Sequence, residues 1–134
     1  KMLKNYAKHF DAWIKSKDKG FFEIPYIHRP GTHSYQKTFN PDFIIKKKDS
    51  IVVVEIKSED DSTVKNKDKL EGAISFFNKI NSKLNTKPYY EFYFLDERDY
   101  TSFFDKVLVK GQKFVSRLHA ALLSKTREEL KEGR

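Results

Sequence analysis

The strongest constraint on the fold is an uninterrupted β-branched segment near the middle of the chain. The apolar run Ile51-Val52-Val53-Val54 continues into Glu55-Ile56-Lys57. Apolar side chains at consecutive positions are typical of a strand that is covered on both faces. Because such a strand needs other elements on either side, this segment predicts an α/β domain with a central sheet between helices.

Periodic segments before this strand predict the elements of the first half of the chain. Residues 2–16 predict an amphipathic helix, because apolar side chains recur there three or four positions apart. The apolar stripe on that helix consists of Leu3, Tyr6, Phe10, Trp13 and Ile14. Strands are predicted at 21–28 and 39–45, and a charged loop at 58–67 follows the central strand. The first half is therefore predicted to be α-β-β-β.

The second half of the chain adds a long helix and a further strand. Apolar residues recur at helical spacing over 66–84, and 89–95 is rich in aromatic side chains that favour a strand. A short helix is predicted at 99–107 and a final helix at 112–131. The complete order is α-β-β-β-α-β with one or two helices appended, which predicts a mixed central sheet flanked by helices.

The length and composition indicate one globular unit. The chain has 134 residues, which suits one domain with one core. The 12 Phe and 7 Tyr residues supply bulk for that core and exclude disorder throughout. We expect a single domain over 1–134, with a core at about 1–108 and appended helices at about 99–131. A start at Lys1, with Met2 behind it, predicts that the chain is a fragment of a larger protein.

Cysteine content and hydropathy exclude several classes of protein. The chain has no Cys, which excludes a disulfide framework, a thiolate zinc site and a Cys nucleophile. The longest apolar run, 51–54, is far shorter than the roughly 20 residues that cross a bilayer. We therefore expect no membrane partner and a cytoplasmic location.

The charge of the chain favours a polyanionic partner. Lys and Arg number 27 against 19 Asp and Glu, which gives a formal charge of +8. Phosphate contacts release counterions, so a basic bias of this size favours nucleic acid. The same charge also fits a small domain whose lysines only solvate its surface. Charge alone leaves both interpretations open.

Two carboxylates and an ammonium group are predicted to meet at one edge of the sheet. Asp42 opens one strand, Glu55 and Lys57 close the next, and a short turn at 46–50 joins the strands as a hairpin. Residues two apart on a strand leave the same face, so Glu55 and Lys57 point together. Asp42, Glu55 and the Ile56 carbonyl supply three oxygens of the kind that Mg²⁺ prefers. Such an ion activates water and polarises a phosphoryl oxygen, while Lys57 orients the water or stabilises charge on the phosphate.

These residues resemble the motif of a nuclease superfamily. Pro41-Asp42, twelve intervening residues and Glu55-Ile56-Lys57 are similar to the PD-(D/E)XK motif. The α-β-β-β-α-β order also resembles the restriction-endonuclease-like core of that superfamily. Nuclease domains of type III restriction enzymes, which lie at the C-terminal end of helicase-containing subunits, are similar in further residues: Lys69, Ala73, Phe76-Phe77 and 90–95. The resemblance covers 39–95 in its motif residues and about 1–108 in its element order.

The resemblance implies a metal-dependent endonuclease that hydrolyses DNA, above all double-stranded DNA. It implies Mg²⁺ as the cofactor, with Mn²⁺ as a substitute, held by Asp42, Glu55 and the Ile56 carbonyl. Lys57 is then the catalytic lysine beside the two carboxylates. The chain would be the nuclease module of a restriction-like helicase-nuclease, with helicase or translocase domains in the same parent chain. Cleavage of both strands by one site per chain would need a second copy of the chain or two nicks.

Three other interpretations fit the same residues. In the first, Asp42 caps a turn while Glu55 and Lys57 form a structural ion pair. In the second, the domain keeps the nuclease fold but only binds nucleic acid or docks on a parent protein. In the third, the same site cleaves RNA or flapped structures.

Additional residues are candidates for metal or DNA binding. Glu23 is the stronger candidate for a further acidic ligand, because it lies in the strand before Asp42, and Asp11 is the weaker. The polar segment 28–37 is predicted as a hairpin tip that tracks phosphates, and 59–61 as a solvated acidic loop or a second metal site. The candidate DNA-binding residues are Arg29, Lys37, Lys46, Lys47, Lys48 and Lys69.

Overall fold

The computed structural model of the chain describes residues 12–15, 23–28, 34–58, 63–86 and 89–130. These residues form a mixed α/β fold with a four-stranded sheet, a separate two-stranded sheet and several helices. The strands are β1 Ala12–Lys15, β2 Ile24–His28, β3 Tyr35–Phe39, β4 Phe43–Lys47, β5 Ser50–Ile56 and β6 Tyr89–Leu95. The α-helices are α1 Val64–Lys83, α2 Tyr100–Phe103 and α3 Arg117–Ser124. Shorter helical turns are the 3₁₀ turns Glu97–Asp99 and Arg127–Glu129 and the π-helical turn Phe104–Val109.

The four-stranded sheet has the order β1-β4-β5-β6 and mixes strand directions. β4 is antiparallel to both β1 and β5, whereas β5 and β6 are parallel. Successive side chains of β5 enter two different hydrophobic cores, as the strand pleat requires. Val53 packs in the core that includes α1 and α3 residues, whereas Val52 and Val54 pack with α2 and the π-helical turn. All three valines are buried, so the double-sided burial predicted from the β-branched run is confirmed.

Helix α1 covers the face of the sheet to which Val53 points. The Thr63 hydroxyl caps its first turn by accepting a hydrogen bond from the Asn66 backbone N–H at 3.1 Å. The helix therefore begins at Val64, inside the segment predicted as a loop over 58–67, because the cap satisfies its first backbone donors. The apolar side chains that α1 buries are Val64, Leu70, Ala73 and Phe77.

The helix predicted over 2–16 is wrong for residues 12–15, which form strand β1. Trp13 pairs with Ile45 and Ile14 with Ile44, so β4 supplies the backbone hydrogen bonds of this segment. The Trp13 ring also contacts Phe43, with centroids 6.2 Å apart. Pairing with β4 therefore outweighs the helical spacing of the apolar side chains. Residues 2–11 and 16 of the predicted helix lie outside the described residues.

The two strands predicted at 21–28 and 39–45 are replaced by β2, β3 and β4, because the segment predicted as a hairpin tip contains a strand. Residues 35–39 form β3, which pairs with β2 in the register from Ile24↔Phe39 to His28↔Tyr35. Phe39 thus ends β3, and the strand that follows it begins at Phe43. Tyr35 to Thr38 are exposed, so no alternation of buried and exposed side chains marked this strand in the sequence. Residues 29–33 of the predicted tip lie outside the described residues.

The predicted helix over 112–131 is interrupted. Helix α3 begins after Ser116, whose hydroxyl accepts a hydrogen bond from the His119 N–H at 3.0 Å, and it ends at Ser124. A separate 3₁₀ turn follows, and the Thr126–Glu129 capping box fixes it. The apolar side chains of this segment nevertheless pack in one core, together with those of α1: Leu118, Leu122 and Leu130. Residues beyond 108 therefore contribute to the core.

Polar contacts around the buried Asp68 carboxylate tie this C-terminal segment to α1 and β2. His28 Nδ1 lies 3.0 Å from Asp68 Oδ2, and the Arg127 guanidinium donates to Asp68 Oδ1. Lys67 Nζ donates to the Leu122 carbonyl at 2.7 Å. Because the Asp68 carboxylate is fully buried, these partners offset a desolvation cost that it would otherwise carry alone.

Candidate active site

The sheet register places Asp42 and Glu55 beside each other. Phe43 of β4 pairs with Val54 of β5, and one step further along the same register sets Asp42 against Glu55. The Asp42 N–H donates to the Val54 carbonyl at 2.9 Å, and the Ile56 N–H donates to Asp42 Oδ2 at 2.7 Å. These two hydrogen bonds fix the Asp42 carboxylate at the end of β5. The hairpin geometry predicted for this pair is therefore present.

Lys57 completes the group. Its Nζ lies 3.3 Å from Glu55 Oε2, and its backbone N–H donates to the Leu95 carbonyl of β6 at 2.8 Å. Glu55 has the same strand parity as Val53, so Glu55 and Lys57 leave β5 on the face that α1 covers. The structure brings Asp42, Glu55 and Lys57 together at one edge of the sheet.

Glu55 is a buried carboxylate with an incomplete set of partners. Only 6% of its surface is exposed, and burial raises its pKa to about 7. This pKa of about 7 is the net result of burial, of Lys57 and Lys69, which lower the pKa, and of the nearby Asp42 carboxylate, which raises it. Among the described residues, Glu55 Oε1 and Asn40 Oδ1 are the buried side-chain oxygens without a hydrogen-bond partner. A buried acceptor without a partner is costly, so Glu55 Oε1 is a position where a bound cation would be stabilising.

The residues at this edge fit a hard divalent cation. Asp42 and Glu55 offer carboxylate oxygens, and Ile56 lies directly between Glu55 and Lys57 with a backbone carbonyl. Within the described part of the chain, no group of three or more His, Cys, Asp or Glu side chains could hold a metal ion. The ligands from this part of the protein would thus be two carboxylates and a backbone carbonyl. Such a sparse set suits Mg²⁺, which usually keeps several waters.

Lysines of α1 and β3 lie close to this group. The Lys69 ammonium stands 5.2 Å from the centroid of the Phe39 ring. Burial lowers the pKa of Lys69 to about 8, and the positive charge of Lys57 adds to this effect. Burial also lowers the pKa of Lys65, with contributions from Lys37 and Lys57. Lys37 and Lys69 were predicted as DNA-binding candidates. Lys65 was not, because it lies in the segment 58–67 that was predicted as a loop, whereas the helix begins at Val64.

Tyr100 follows the acidic turn after β6 and packs against the core on the face of the sheet that α1 does not cover. Burial raises the pKa of its phenol, and Glu97, Asp42 and Asp96 raise it further. Asp96 is itself held by Arg98, whose Nη2 donates to its Oδ2 at 2.7 Å. The sequence contained no motif that would have singled out Tyr100, because its place depends on how α2 follows β6.

The other predicted residues are distributed more widely. Glu23 is exposed and accepts a hydrogen bond from the Thr38 hydroxyl at 3.2 Å, a contact within the β2–β3 hairpin. Lys46, Lys47 and Lys48 lie at the far end of the β4–β5 hairpin, roughly 13 Å along the strand from Asp42. Lys47 Nζ donates there to the Val107 carbonyl at 2.7 Å. The remaining candidates lie outside the described residues: Asp11, Arg29 and 59–61.

Comparisons with known proteins give no relative. No family model, no curated protein and no solved structure matches the chain. Within the described residues, the helices are too short or too polar to cross a membrane. The geometry of the site is therefore the basis on which its function is inferred.

The raised pKa of Glu55 predicts a pH dependence of stability. A carboxyl group whose pKa is about 7 in the folded state and 4.5 in the unfolded state holds more protons when folded. Stability should therefore fall as pH rises through this window, and Glu55→Gln should remove that fall. We expect the variant to gain on the order of 3 kcal/mol relative to wild type over the window.

This prediction is checked by urea unfolding across the pH range in a buffer with a chelator. Glu128→Gln, which alters an exposed carboxylate of the 3₁₀ turn, is the matched control and should follow wild type. If the free energies of unfolding of wild type and Glu55→Gln change with pH in the same way, the raised pKa of Glu55 is contradicted.

Proposed function

We propose that this chain is a Mg²⁺-dependent endonuclease domain of the PD-(D/E)XK type that hydrolyses DNA. One observation carries the proposal: Asp42, Glu55 and Lys57 meet at the end of β5, where Glu55 Oε1 is buried without a partner. A structural ion pair between Glu55 and Lys57 accounts for Oε2 only. A bound cation accounts for the remaining oxygen and for the placement of two carboxylates side by side.

The fold supports the proposal at a coarser level. A mixed sheet with helices on both faces is the architecture expected of a restriction-endonuclease-like core. The candidate site lies at the end of the central strand β5, between an antiparallel and a parallel neighbour. The motif residues therefore occupy adjoining positions in space, as the proposed chemistry requires.

Each residue has a distinct role in the proposed reaction. Asp42, held by the Ile56 N–H, and Glu55 would bind the cation together with the Ile56 carbonyl. When bound, Mg²⁺ polarises a phosphoryl oxygen and lowers the pKa of a coordinated water. Lys57 places its positive charge beside Glu55, where it stabilises negative charge that develops on the phosphate. Glu55 must be ionised to bind the cation, so binding releases a proton at pH below about 7.

The basic character of the chain supports a polyanionic substrate. A formal charge of +8 favours association with DNA, and the lysines near Glu55 place part of that charge at the site. In the same proposal, the chain is the nuclease module of a restriction-like helicase-nuclease, and a duplex is cleaved by two copies of the chain or by two successive nicks. The sequence resemblance supports the first of these points, and the second follows from one site per chain.

Metal binding at the site can be tested without any cleavage assay. We expect millimolar Mg²⁺ or Mn²⁺ to raise the Tm of the wild-type chain near pH 8, because a ligand that binds only the folded state stabilises it. At a ligand concentration of about 100 times Kd the stabilisation is about 2.7 kcal/mol. Asp42→Asn should abolish the increase.

Asp49→Asn is the matched control, because Asp49 is an exposed carboxylate in the turn at the other end of the same β4–β5 hairpin. It should retain the full metal-dependent increase in Tm. Equal increases in wild type and Asp42→Asn, or no increase in wild type, would count against a metal site at Asp42 and Glu55.

A further inference from the structure

Three lysines from two elements surround one side of the candidate site. Lys65 and Lys69 lie four residues apart on α1, so they share a face of the helix near its N-terminal end. Lys37 and Phe39 lie two apart on β3 and share a face of that strand. Because the Lys69 ammonium lies 5.2 Å from the Phe39 ring centroid, the two lysine-bearing faces adjoin.

The positive charges of this lysine group exceed the negative charge beside them, since the acid that acts on Lys69 is Glu55, which is already paired with Lys57. Among the described residues, no carboxylate lies within 4.0 Å of the ammonium groups of Lys37, Lys65 or Lys69. Their positive charges instead oppose one another, since Lys37 and Lys57 act on Lys65, and Lys57 and Lys65 act on Lys69. Like charges brought together at a partly buried position are destabilising unless an anion joins them. The geometry indicates an anion-binding surface next to Glu55.

The turn after β6 lacks such an excess of positive charge, because its acids and the arginines Arg98 and Arg117 lie close together. The turn after β6 carries Asp96, Glu97 and Asp99. The negative charges of Glu97, Asp42 and Asp96 all raise the pKa of the neighbouring Tyr100, after the larger effect of burial. Arg98 neutralises Asp96 by a bidentate contact, but Glu97 is exposed. A phosphate chain is therefore attracted to the α1 side of Asp42 more strongly than to the turn after β6.

We propose that Lys37, Lys65 and Lys69 form a one-sided phosphate subsite that binds the DNA backbone phosphate next to the one at Asp42 and Glu55. The subsite rests on the proposed nuclease function and adds to it a required second phosphate on the α1 side. Phosphate contacts of this kind fix the register of the strand without reading its sequence. The subsite would thus hold the strand while Lys57 and the carboxylates act on the neighbouring phosphate.

The test measures DNA binding in the absence of metal, so that cleavage plays no part. The probe is a fluorescently labelled DNA duplex, and anisotropy gives the affinity of the full chain over a series of NaCl concentrations. The double variant Lys37→Gln/Lys65→Gln should bind about five- to tenfold more weakly at low salt, and its salt slope should be shallower by about 0.9 for the lost phosphate contact. The replaced side chains are partly buried or exposed and their removal relieves repulsion, so the Tm of the variant should be no lower than that of wild type.

The matched control is Lys79→Gln/Lys83→Gln, which removes the same charge from exposed positions in the C-terminal half of α1. Its salt slope should equal that of wild type. Equal slopes for the two double variants would overturn the subsite, and so would a wild type that does not bind the duplex. If the salt slope falls in Lys37→Gln/Lys65→Gln but the wild type never nicks DNA, the subsite is supported and the nuclease function is refuted. If the wild type nicks DNA but the two double variants have equal salt slopes, the nuclease function is supported and the subsite is refuted.

Discussion

Replacement of Lys57 by Ala is expected to lower the single-turnover rate of DNA nicking at least about 100-fold. The Lys57 ammonium lies 3.3 Å from Glu55 Oε2, at the position where a phosphate would meet the two carboxylates. Loss of one such charge removes stabilisation that is largest when negative charge develops on the phosphate. The rate is measured with excess protein over supercoiled DNA in Mg²⁺.

One indirect effect of this substitution has to be separated from the direct one. Lys57 lowers the pKa of Glu55, so its removal raises that pKa and weakens metal binding near neutral pH. Repeating the assay near pH 9 reduces this difference, because Glu55 loses its proton more completely as the pH rises above about 7. A rate that stays low at the higher pH indicates a direct role for Lys57 on the phosphate.

The control for Lys57→Ala is Lys83→Ala, which removes an exposed lysine from the last turn of α1. It should nick DNA at the wild-type rate. Full activity in Lys57→Ala at either pH would refute the assignment of Lys57 as the catalytic lysine.

Replacement of Gly72 by Ala is expected to destabilise the fold by about 3 kcal/mol or more. A Cβ at this position would lie 2.5 Å from Tyr26 Cβ, 2.7 Å from the Pro25 carbonyl oxygen and 2.8 Å from Tyr26 Cα. Two of these atoms belong to the backbone of β2, so α1 and the β2–β3 hairpin would have to separate. Urea unfolding of wild type and variant at one pH gives the difference in free energy of unfolding.

The sign of this result is informative. In an open helix, Gly→Ala is stabilising by about 1 kcal/mol, because Ala has the higher helix propensity. The control Ser75→Ala, one turn away at an exposed position of α1, should change stability by no more than about 0.5 kcal/mol. A neutral or stabilising Gly72→Ala would show that α1 does not approach β2 as closely as the structure has it.

The centre of the fold could be predicted because the pattern of apolar side chains in β5 and α1 matches the faces that these elements bury. The β-branched run of β5 is buried on both faces, and the stripe of α1 has the period of a helix with one covered face. The short turn after β4 fixes the hairpin register, which brings Asp42 to Glu55. These three features were sufficient to place the candidate site at the end of β5.

Elements at the edges of the fold could not be predicted in this way. β1 owes its conformation to pairing with β4, although Trp13 and Ile14 have a helical spacing. β3 has four consecutive exposed residues, so it lacks the alternation that marks a half-buried strand. Lys65 and Tyr100 reach the site through the start of α1 and the turn after β6, and neither arrangement has a local signature in the sequence.

The most direct test of the central claim is a single gel of supercoiled DNA incubated with the wild-type chain. Lanes with Mg²⁺, with a chelator and with Lys57→Ala in Mg²⁺ compare the metal requirement and the site at once. The account predicts nicked or linear DNA for wild type in Mg²⁺ and intact supercoiled DNA in the other two lanes. Nicking by wild type in the chelator, nicking by Lys57→Ala at the wild-type rate, or no nicking by a wild type that binds Mg²⁺ and DNA would contradict it.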